Sequence, residues 1–239
     1  MTGRPRVYFS FQSPFSWMAL RQLEKRVPDF ADLFEYVPFW DPDARTRAGL
    51  DAHGADFHYT VMSKAKHLYI LHDTKRLAAG FGYRLVWPVD VAPWWEPSAL
   101  GWLRARELGC ERRFYQVVTE ARWDRGDNIS DPAVLRAACD AAGLPGAELM
   151  AAVDDDRIRD LGVAALVSAH HDEVFGIPLF LVDRQRYWGV DRIADVEAAV
   201  LALRGAGPAV ESADLLASLP VAALATVGSF DHDEPGGCG

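Results

Sequence analysis

The residues of this chain best suited to chemistry are two serines, in the segment Ser13-Pro14-Phe15-Ser16. The segment lies between an apolar run that predicts a buried strand and a stretch whose apolar residues recur at helical spacing. Sites that exchange disulfides have two cysteines at this spacing, as Cys-x-x-Cys. Here serine occupies both positions, whereas the end of a helix would still stabilise a thiolate. The segment therefore predicts a site that handles the thiol of another molecule.

Ser13 is of the residue type preferred at a helix N-cap, and Pro14 suits the first helical position, where its missing N–H costs nothing. The free N–H groups and the dipole at such a helix end attract anions. A ligand thiolate would be stabilised in the same way, with the Ser13 hydroxyl donating to the sulfur. The alternative is that Ser13 and Pro14 only begin a helix and have no role in a reaction, since Ser-Pro is common before helices.

The composition predicts a globular, acidic protein. Of the 239 residues, 50% are hydrophobic, and the formal net charge of −9 argues against binding to nucleic acid or to anionic membranes. The N-terminus runs into a strand without an apolar leader, and no apolar run is long enough to span a membrane, so we expect a cytoplasmic protein. Cys110, Cys139 and Cys238 are scattered and are expected to stay reduced.

Strand signals lie towards the two ends of the chain. The predicted strands are 6–12, 33–39, 179–183 and a hairpin partner at 187–188. A helix between the first two strands makes them a parallel pair. After the hairpin, Asp191 is expected to cap a last helix that Gly205 ends.

Helical signals dominate between residues 42 and 172. The predicted helices are 69–81, 131–143 and 154–174, the last as one helix or a broken pair. Residues 86–97 contain several prolines and Trp87, Trp94 and Trp95, so we interpret them as an irregular aromatic loop, either near a pocket or packed as core. Residues 206–228 would add one terminal helix, and 231–239 a mobile tail.

The segment Gly176-Ile177-Pro178 precedes the third predicted strand. Proline is tolerated at the start of a strand because it has no N–H to donate to the ladder. A cis bond before Pro178 would leave the N–H and C=O of Ile177 free to pair with an extended peptide. The alternative is an ordinary trans proline at a strand start.

Four stretches of the sequence together resemble one family. They are 9–17, then Lys66-His67-Leu68-Tyr69 with Asp73 and Leu85-Val86-Trp87-Pro88, then 175–180, and finally 187–192. In this order and spacing they are similar to the 2-hydroxychromene-2-carboxylate isomerases and kappa-class glutathione transferases, a branch of the DsbA-like thioredoxin superfamily. The resemblance covers residues 5–204, most of the chain.

The resemblance implies an α/β, thioredoxin-like fold of the DsbA type, with a β-α-β half and a β-β-α half separated by a large all-helical insertion. The implied divisions are 5–40 with 173–205 as the thioredoxin-like domain, 41–172 as the helical insertion domain, and 206–239 as a partly disordered C-terminal extension. Because relatives are often dimers, a homodimer is also implied.

The resemblance also implies roles for individual residues. In that family the serine matching Ser13 contacts the sulfur of bound glutathione, and the residue before the cis proline pairs its backbone with the cysteinyl unit. The implied catalytic residues are Ser13 and Lys66. The implied glutathione-binding residues are Ser13, Ile177, Pro178, Asp191 and Arg192. The residues expected to bind substrate are Phe15, Trp87, Trp94 and Trp188.

The expected activity is cis–trans isomerisation of a conjugated enone or polyenoyl compound, free or bound to a carrier. A thiolate, expected to be that of glutathione, adds to the β-carbon, the former double bond rotates as a single bond, and the thiolate leaves. The protein must keep the sulfur ionised and stabilise the enolate oxygen, tasks that suit Ser13 and Lys66 respectively. Flat tryptophan rings would suit a planar substrate from aromatic degradation or polyketide synthesis.

Several alternatives remain open from the sequence. The thiol could be one other than glutathione, a polyene could be isomerised without any thiol, or the chain could be a non-catalytic module that binds an extended peptide. A deep slot with Ser13 at its floor would favour an enzyme, and an open groove the binding module. Disulfide exchange is disfavoured because no two cysteines are close in sequence. The histidine pairs match no strong metal motif.

Overall fold

The computed structural model of the protein describes residues 4–58 and 62–205. The helix expected at 206–228, the tail at 231–239 and the thiol of Cys238 lie outside the described residues. No helix in the described part of the chain is both long enough and apolar enough to cross a membrane.

Four strands form one mixed sheet in the order β2-β1-β3-β4. The strands are β1 (Arg6–Phe9), β2 (Glu35–Pro38), β3 (Leu179–Val182) and β4 (Gln185–Trp188). β1 pairs with β2 in parallel and with β3 antiparallel, and β3 and β4 form the hairpin expected from the sequence. Strand β1 is shorter than predicted because its residues after Phe9 turn towards the first helix.

Helices fill the rest of the described chain. They are α1 (Pro14–Arg26), α2 (Phe30–Leu33), α3 (Ala44–Ala52), α4 (Lys64–Gly80), α5 (Glu96–Glu107), α6 (Glu111–Thr119), a π-helical segment (Glu120–Arg125), α7 (Pro132–Ala141), α8 (Gly146–Met150), a 3₁₀ turn (Ala151–Asp154), α9 (Asp156–His171), a second 3₁₀ turn (Val190–Arg192) and α10 (Ile193–Leu203).

Three differences from the sequence prediction concern element bounds. Helix α4 begins at Lys64, five residues before the expected start, because Ser63 caps it by accepting from the Lys66 N–H. Helix α9 is continuous rather than a broken pair. The aromatic segment is irregular only up to Trp95, since Pro97 lies in the first turn of α5, where proline is tolerated.

Sheet and helices share one hydrophobic core. Phe9 of β1 contacts Trp102 of α5 and Tyr115 of α6 edge to face, at ring-centre distances of 5.4 and 5.5 Å. On the opposite face of β1, the Tyr8 hydroxyl donates to Asp172, just after α9, at 2.5 Å. The helices inserted between β2 and β3 are therefore anchored on both sides of β1, and the molecule has the α/β, thioredoxin-like fold with helical insertion expected from the sequence. The exact domain division stays a prediction.

Candidate functional site

The turn between β1 and α1 positions Ser13 as expected. The Ser13 Oγ accepts from the Ser16 N–H at 3.2 Å, and Pro14 takes the first helical position. The Ser13 N–H in turn donates to the Ser10 carbonyl at 3.2 Å. The cap bond uses a lone pair of the Ser13 oxygen and leaves the hydroxyl proton free. This proton has no acceptor among the described residues, and Ser13 is half-buried. Ser13 can therefore donate a hydrogen bond to a ligand at the end of α1.

The Ile177–Pro178 peptide bond is cis, and the sheet register brings it to the same place. Tyr8 pairs with Leu179, so the residues after β1 and those before β3 lie side by side at one end of the sheet. The Pro178 carbonyl accepts from the Gly189 N–H at 2.9 Å. The N–H and C=O of Ile177 have no hydrogen-bond partner among the described residues, so this edge can pair with an extended ligand.

Asp191 and Arg192 lie next to this edge but not as the sequence predicted. Asp191 was expected to cap the last helix; instead it lies in the second 3₁₀ turn, and Arg192 is the N-cap of α10 without a side-chain cap bond. Asp191 pairs with Arg192 at 3.2 Å, and its side chain is 66% exposed. The turn contacts α1. Both side chains are thus available to a ligand held beside Pro178.

Phe15 and Lys66 occupy different environments. Phe15 is half-buried and packs against the core one residue inside α1, close to Ser13 in the chain. Lys66 is exposed in the first turn of α4, and no contact joins it to Ser13 within the described residues. A cation in the first turn opposes the helix dipole. Lys66 is therefore not placed there to stabilise its own helix.

The tryptophans expected to form one slot have separate partners. Trp87 contacts Trp123 at 5.9 Å, Trp94 donates its indole N–H to Asp43 at 3.2 Å, and Trp188 contacts Phe175 at 4.9 Å. In the described chain no ring contact joins Trp87, Trp94 and Trp188, and their role as one flat slot stays a prediction. Only Trp188 lies at the cis-proline edge, where the α-carbon of Gly176 abuts its indole.

A buried arginine, which the sequence analysis missed, holds the irregular segment 86–95 in place. Arg122 lies in the π-helical segment with its side chain 4% exposed and binds both oxygens of Asp90, at 3.0 and 2.8 Å. Its guanidinium lies between the rings of Trp95 and Trp123, 4.9 and 4.8 Å from their centres. Arginine in a helix is usually solvated, but the neighbouring tryptophan was a signal that this one stacks.

Replacing Asp90 by asparagine should lower the free energy of unfolding by about 1.5–3 kcal/mol, because Arg122 would lose a charged hydrogen-bond partner while buried. Hydrogen exchange should rise mainly in residues 86–95. The matched control is Asp127→Asn, since Asp127 pairs with Arg125 at the surface and should contribute below about 1 kcal/mol. Equal effects of the two substitutions would show that Asp90 does not anchor the segment.

The chain's own thiols are unsuited to nucleophilic chemistry. Cys110 and Cys139 are unpaired, and burial raises the pKa of the Cys139 thiol to about 12. Burial also raises the pKa of Cys110. A thiol at such a pKa is almost wholly protonated at neutral pH. Across the described residues no group of three or more histidine, cysteine or acidic side chains could hold a metal.

A void adjoins the Ser13 turn but is small. It has a volume of about 10 Å³ and is lined by residues that include Gln12, Phe39 and Trp95. Such a volume is at most what one water molecule needs. This void is therefore not the deep slot that the sequence analysis associated with an enzyme.

Comparison with known proteins supports the fold and adds a candidate activity. A curated 2-hydroxychromene-2-carboxylate isomerase from Sphingobium xenophagum is 29% identical over 206 residues, which cover 84% of this chain and all of that protein. A solved structure of a 2-hydroxychromene-2-carboxylate isomerase superimposes with a TM-score of 0.63 at 20% identity, covering 90% of this chain and 98% of the other.

A probable DsbA oxidoreductase from Streptomyces coelicolor superimposes with a TM-score of 0.61 at 16% identity, covering 84% of this chain and 90% of that one. At these identities the two solved structures establish the fold alone. Residues 6–201, which include Ser13, the helical insertion and the cis proline, match the family model of the DSBA-like thioredoxin domain. The chain therefore belongs to the DSBA-like thioredoxin domain family.

Proposed function

We propose that this protein is a cis–trans isomerase of a small conjugated compound of the 2-hydroxychromene-2-carboxylate type, using glutathione as a bound thiol. The observation that carries the proposal is serine at the cap of α1, with its hydroxyl proton free, in a chain similar over the full length of an isomerase. Disulfide exchange needs a cysteine there, whereas thiol activation needs only a donor and a helix end.

The residues present fit glutathione. The unpaired N–H and C=O of Ile177 match the hydrogen bonds of an extended tripeptide backbone. Asp191 lies in the turn that contacts α1 and is exposed, so its carboxylate can accept from the amino group of the γ-glutamyl end. Ser13 lies at the end of the sheet to which the register brings Pro178, which places a donor for the sulfur near the same backbone edge.

Each residue of the site has a separate chemical task. Bound glutathione supplies a thiolate that adds reversibly to a conjugated double bond. The Ser13 hydroxyl and the N-terminal N–H groups of α1 stabilise negative charge on that sulfur, which keeps it ionised near neutral pH. The backbone of Ile177 fixes the thiol carrier, so that the sulfur approaches the substrate in one orientation.

Lys66 has the charge required to stabilise an enolate oxygen. Its ammonium group has no acidic partner among the described residues, and its place in the first turn of α4 is unfavourable for the helix. The choice of Lys66 rests on the family resemblance, in which a basic residue near the site matches this position. Lys66 would act on the substrate oxygen, while Ser13 acts on the thiol.

The test measures isomerisation of 2-hydroxychromene-2-carboxylate by absorbance, with and without glutathione. We expect turnover that depends on glutathione, and a rise in melting temperature of about 5–10 °C at a hundredfold excess of glutathione over its Kd. Turnover without any thiol would keep the isomerase and overturn glutathione as its cofactor. No turnover under either condition, with no thermal shift, would overturn the proposal.

A second candidate function is the binding of an extended peptide at the Ile177 edge. The observation in its favour is the exposure of two large apolar side chains beside this edge, Phe175 at 62% and Trp188 at 38%. A protein that bound an unstructured peptide but showed no thermal shift with glutathione would favour this function, provided that Trp188→Ala weakened the peptide binding. Binding of glutathione without binding of the peptide would assign the edge to glutathione.

A further inference from the structure

A second cavity lies at the opposite end of α1 from Ser13. Its volume is about 230 Å³, and residues lining it include Glu24, Tyr36, Trp102, Arg106 and Tyr115. Glu24 follows Ser13 by eleven residues, a separation of about 16 Å along a helix. The cavity therefore opens at the N-terminal ends of β1 and β2 and shares no residue with the candidate site.

Two hydrogen-bond donors that face this cavity have no partner among the described residues. Trp102 is 3% exposed and Tyr115 is 9% exposed. Neither the indole N–H of Trp102 nor the hydroxyl of Tyr115 bonds to any described residue, and neither is enclosed from solvent, because both side chains line the cavity. Both donors are therefore open to water, and a ligand with acceptor oxygens can take the place of that water.

One cation of the cavity, Arg106, is free to bind an acid. Arg106 lies over the ring of Trp102, 5.1 Å from its centre, and has no ion-pair partner among the described residues. Glu24 accepts from the Tyr36 hydroxyl at 3.0 Å, and burial raises the pKa of Glu24. Glu35 and Glu111 also line the cavity, but Glu35 is paired with Arg6 at 2.9 Å.

The shape of the cavity favours a flat ligand. Four aromatic side chains line it among charged ones, and three of them, Tyr36, Trp102 and Tyr115, contact one another or Phe9 edge to face. Its volume is below the roughly 300–1,000 Å³ of sites for drug-sized ligands. One aromatic ring or a short conjugated chain with an acidic group is therefore the size that fits.

We propose that this cavity binds a small planar carboxylate, an aromatic or enoic acid, with the acid group on Arg106 and the Trp102 indole N–H and the flat part between the aromatic walls. The Tyr115 hydroxyl then donates to a second oxygen of the ligand. The site is separate from the Ser13 site and does not depend on the activity proposed there.

The probe is trans-cinnamate, titrated into the full-length protein by calorimetry up to about 10 mM. We expect saturable binding that Arg106→Gln weakens about tenfold or more, because a charged hydrogen bond is lost, and that Trp102→Phe weakens by a smaller factor. Arg136→Gln is the matched control, since Arg136 is an exposed arginine on α7 that does not line the cavity. Ser13→Ala should leave this binding unchanged.

Two results would overturn the proposal. One is the absence of saturable binding by the wild-type protein. The other is binding that Ser13→Ala abolishes and Arg106→Gln leaves intact, which would place the acid at the Ser13 site. Trp102 is buried, so Trp102→Phe can lower the stability of the protein as well as binding. If the melting temperature of Trp102→Phe falls, the binding of Arg106→Gln decides the outcome, because Arg106 is exposed.

Discussion

Replacing Ser13 by alanine should lower the turnover of the proposed isomerase about 100- to 1,000-fold. The estimate is the typical effect of removing one donor that stabilises charge in a buried reaction centre. Alanine also removes the cap bond to the Ser16 N–H, at a cost of about 0.5–2 kcal/mol in unfolding free energy. The measurement is the glutathione-dependent turnover of 2-hydroxychromene-2-carboxylate beside the melting temperature.

Two further substitutions at residue 13 separate the cap from the chemistry. Ser13→Asp keeps a good cap but has no proton to donate and repels a thiolate, so it should retain stability and lose turnover. Ser13→Thr keeps the hydroxyl and should retain most of the turnover. Asp131→Ala, which removes the cap of α7, should cost similar stability without changing turnover. Full turnover in Ser13→Asp would exclude Ser13 from thiol activation.

Local sequence signals predicted this half of the site because short-range physics fixes it. Ser13 caps α1 through a bond to a residue three positions away. Pro14 lies at the first helical position, where a backbone N–H has no partner within the helix, so the lack of an N–H costs nothing. Both effects need no distant partner. The alternating and apolar runs likewise predicted four strands, since burial on both faces of β1 and β3 leaves continuous hydrophobic segments.

The placement of the tryptophans could not be predicted in this way. Trp94 is fixed by Asp43, fifty-one residues away, and Trp188 by Phe175 across the hairpin. A proline-rich segment with several tryptophans has the same sequence pattern whether its rings line a slot or pack in a core. Only the positions of their distant partners decide, and one sequence does not give those positions.

Asp191 shows the limit of cap prediction. An acidic residue before an apolar helical stripe usually caps the helix. Here Gly189, whose φ of 100° suits glycine, lets the chain form a tight 3₁₀ turn first, so Asp191 pairs with Arg192 instead. The glutathione-binding role of Asp191 implied by the family resemblance stays a prediction, whereas its pairing with Arg192 follows from the turn.

The buried arginines were missed for a related reason. Arg159 lies in α9 among charged residues that favour a solvated helix face. In the structure its side chain is 8% exposed and binds both oxygens of Asp43, at 3.0 and 2.9 Å, and the Val153 carbonyl at 2.7 Å. Its main partner is 116 residues earlier in the chain. The same carboxylate accepts from Trp94, so Arg159 helps to fix the aromatic segment.

Replacing Arg159 by methionine should lower the unfolding free energy by about 3–5 kcal/mol, because Asp43 would remain partly buried without its cation. This corresponds to a fall in melting temperature of about 6–20 °C. The control is Arg157→Met on the same helix, whose side chain is 59% exposed and whose pair with Glu107 should contribute below about 1 kcal/mol. Similar losses in the two variants would contradict the role of burial.

The same pair also determines how stability responds to acid. Burial alone would raise the pKa of Asp43, but the Thr46 N–H and the Arg159 guanidinium outweigh it and lower the pKa to about 2. Because the pKa of Asp43 in the folded protein is below the unfolded value of about 3.9, the stabilisation is complete above pH 3.9 and is lost as the pH falls through about 2.

Without Arg159 the pKa of Asp43 rises, so Arg159→Met should begin to lose stability at a higher pH than the wild type. Melting temperatures of Arg159→Met, measured from pH 6 down to about 2.5, should therefore diverge from those of the wild type as the pH falls. Arg157→Met should follow the wild-type curve. Parallel curves for Arg159→Met and the wild type would show that the Thr46 N–H and the Trp94 indole N–H hold Asp43 ionised without Arg159.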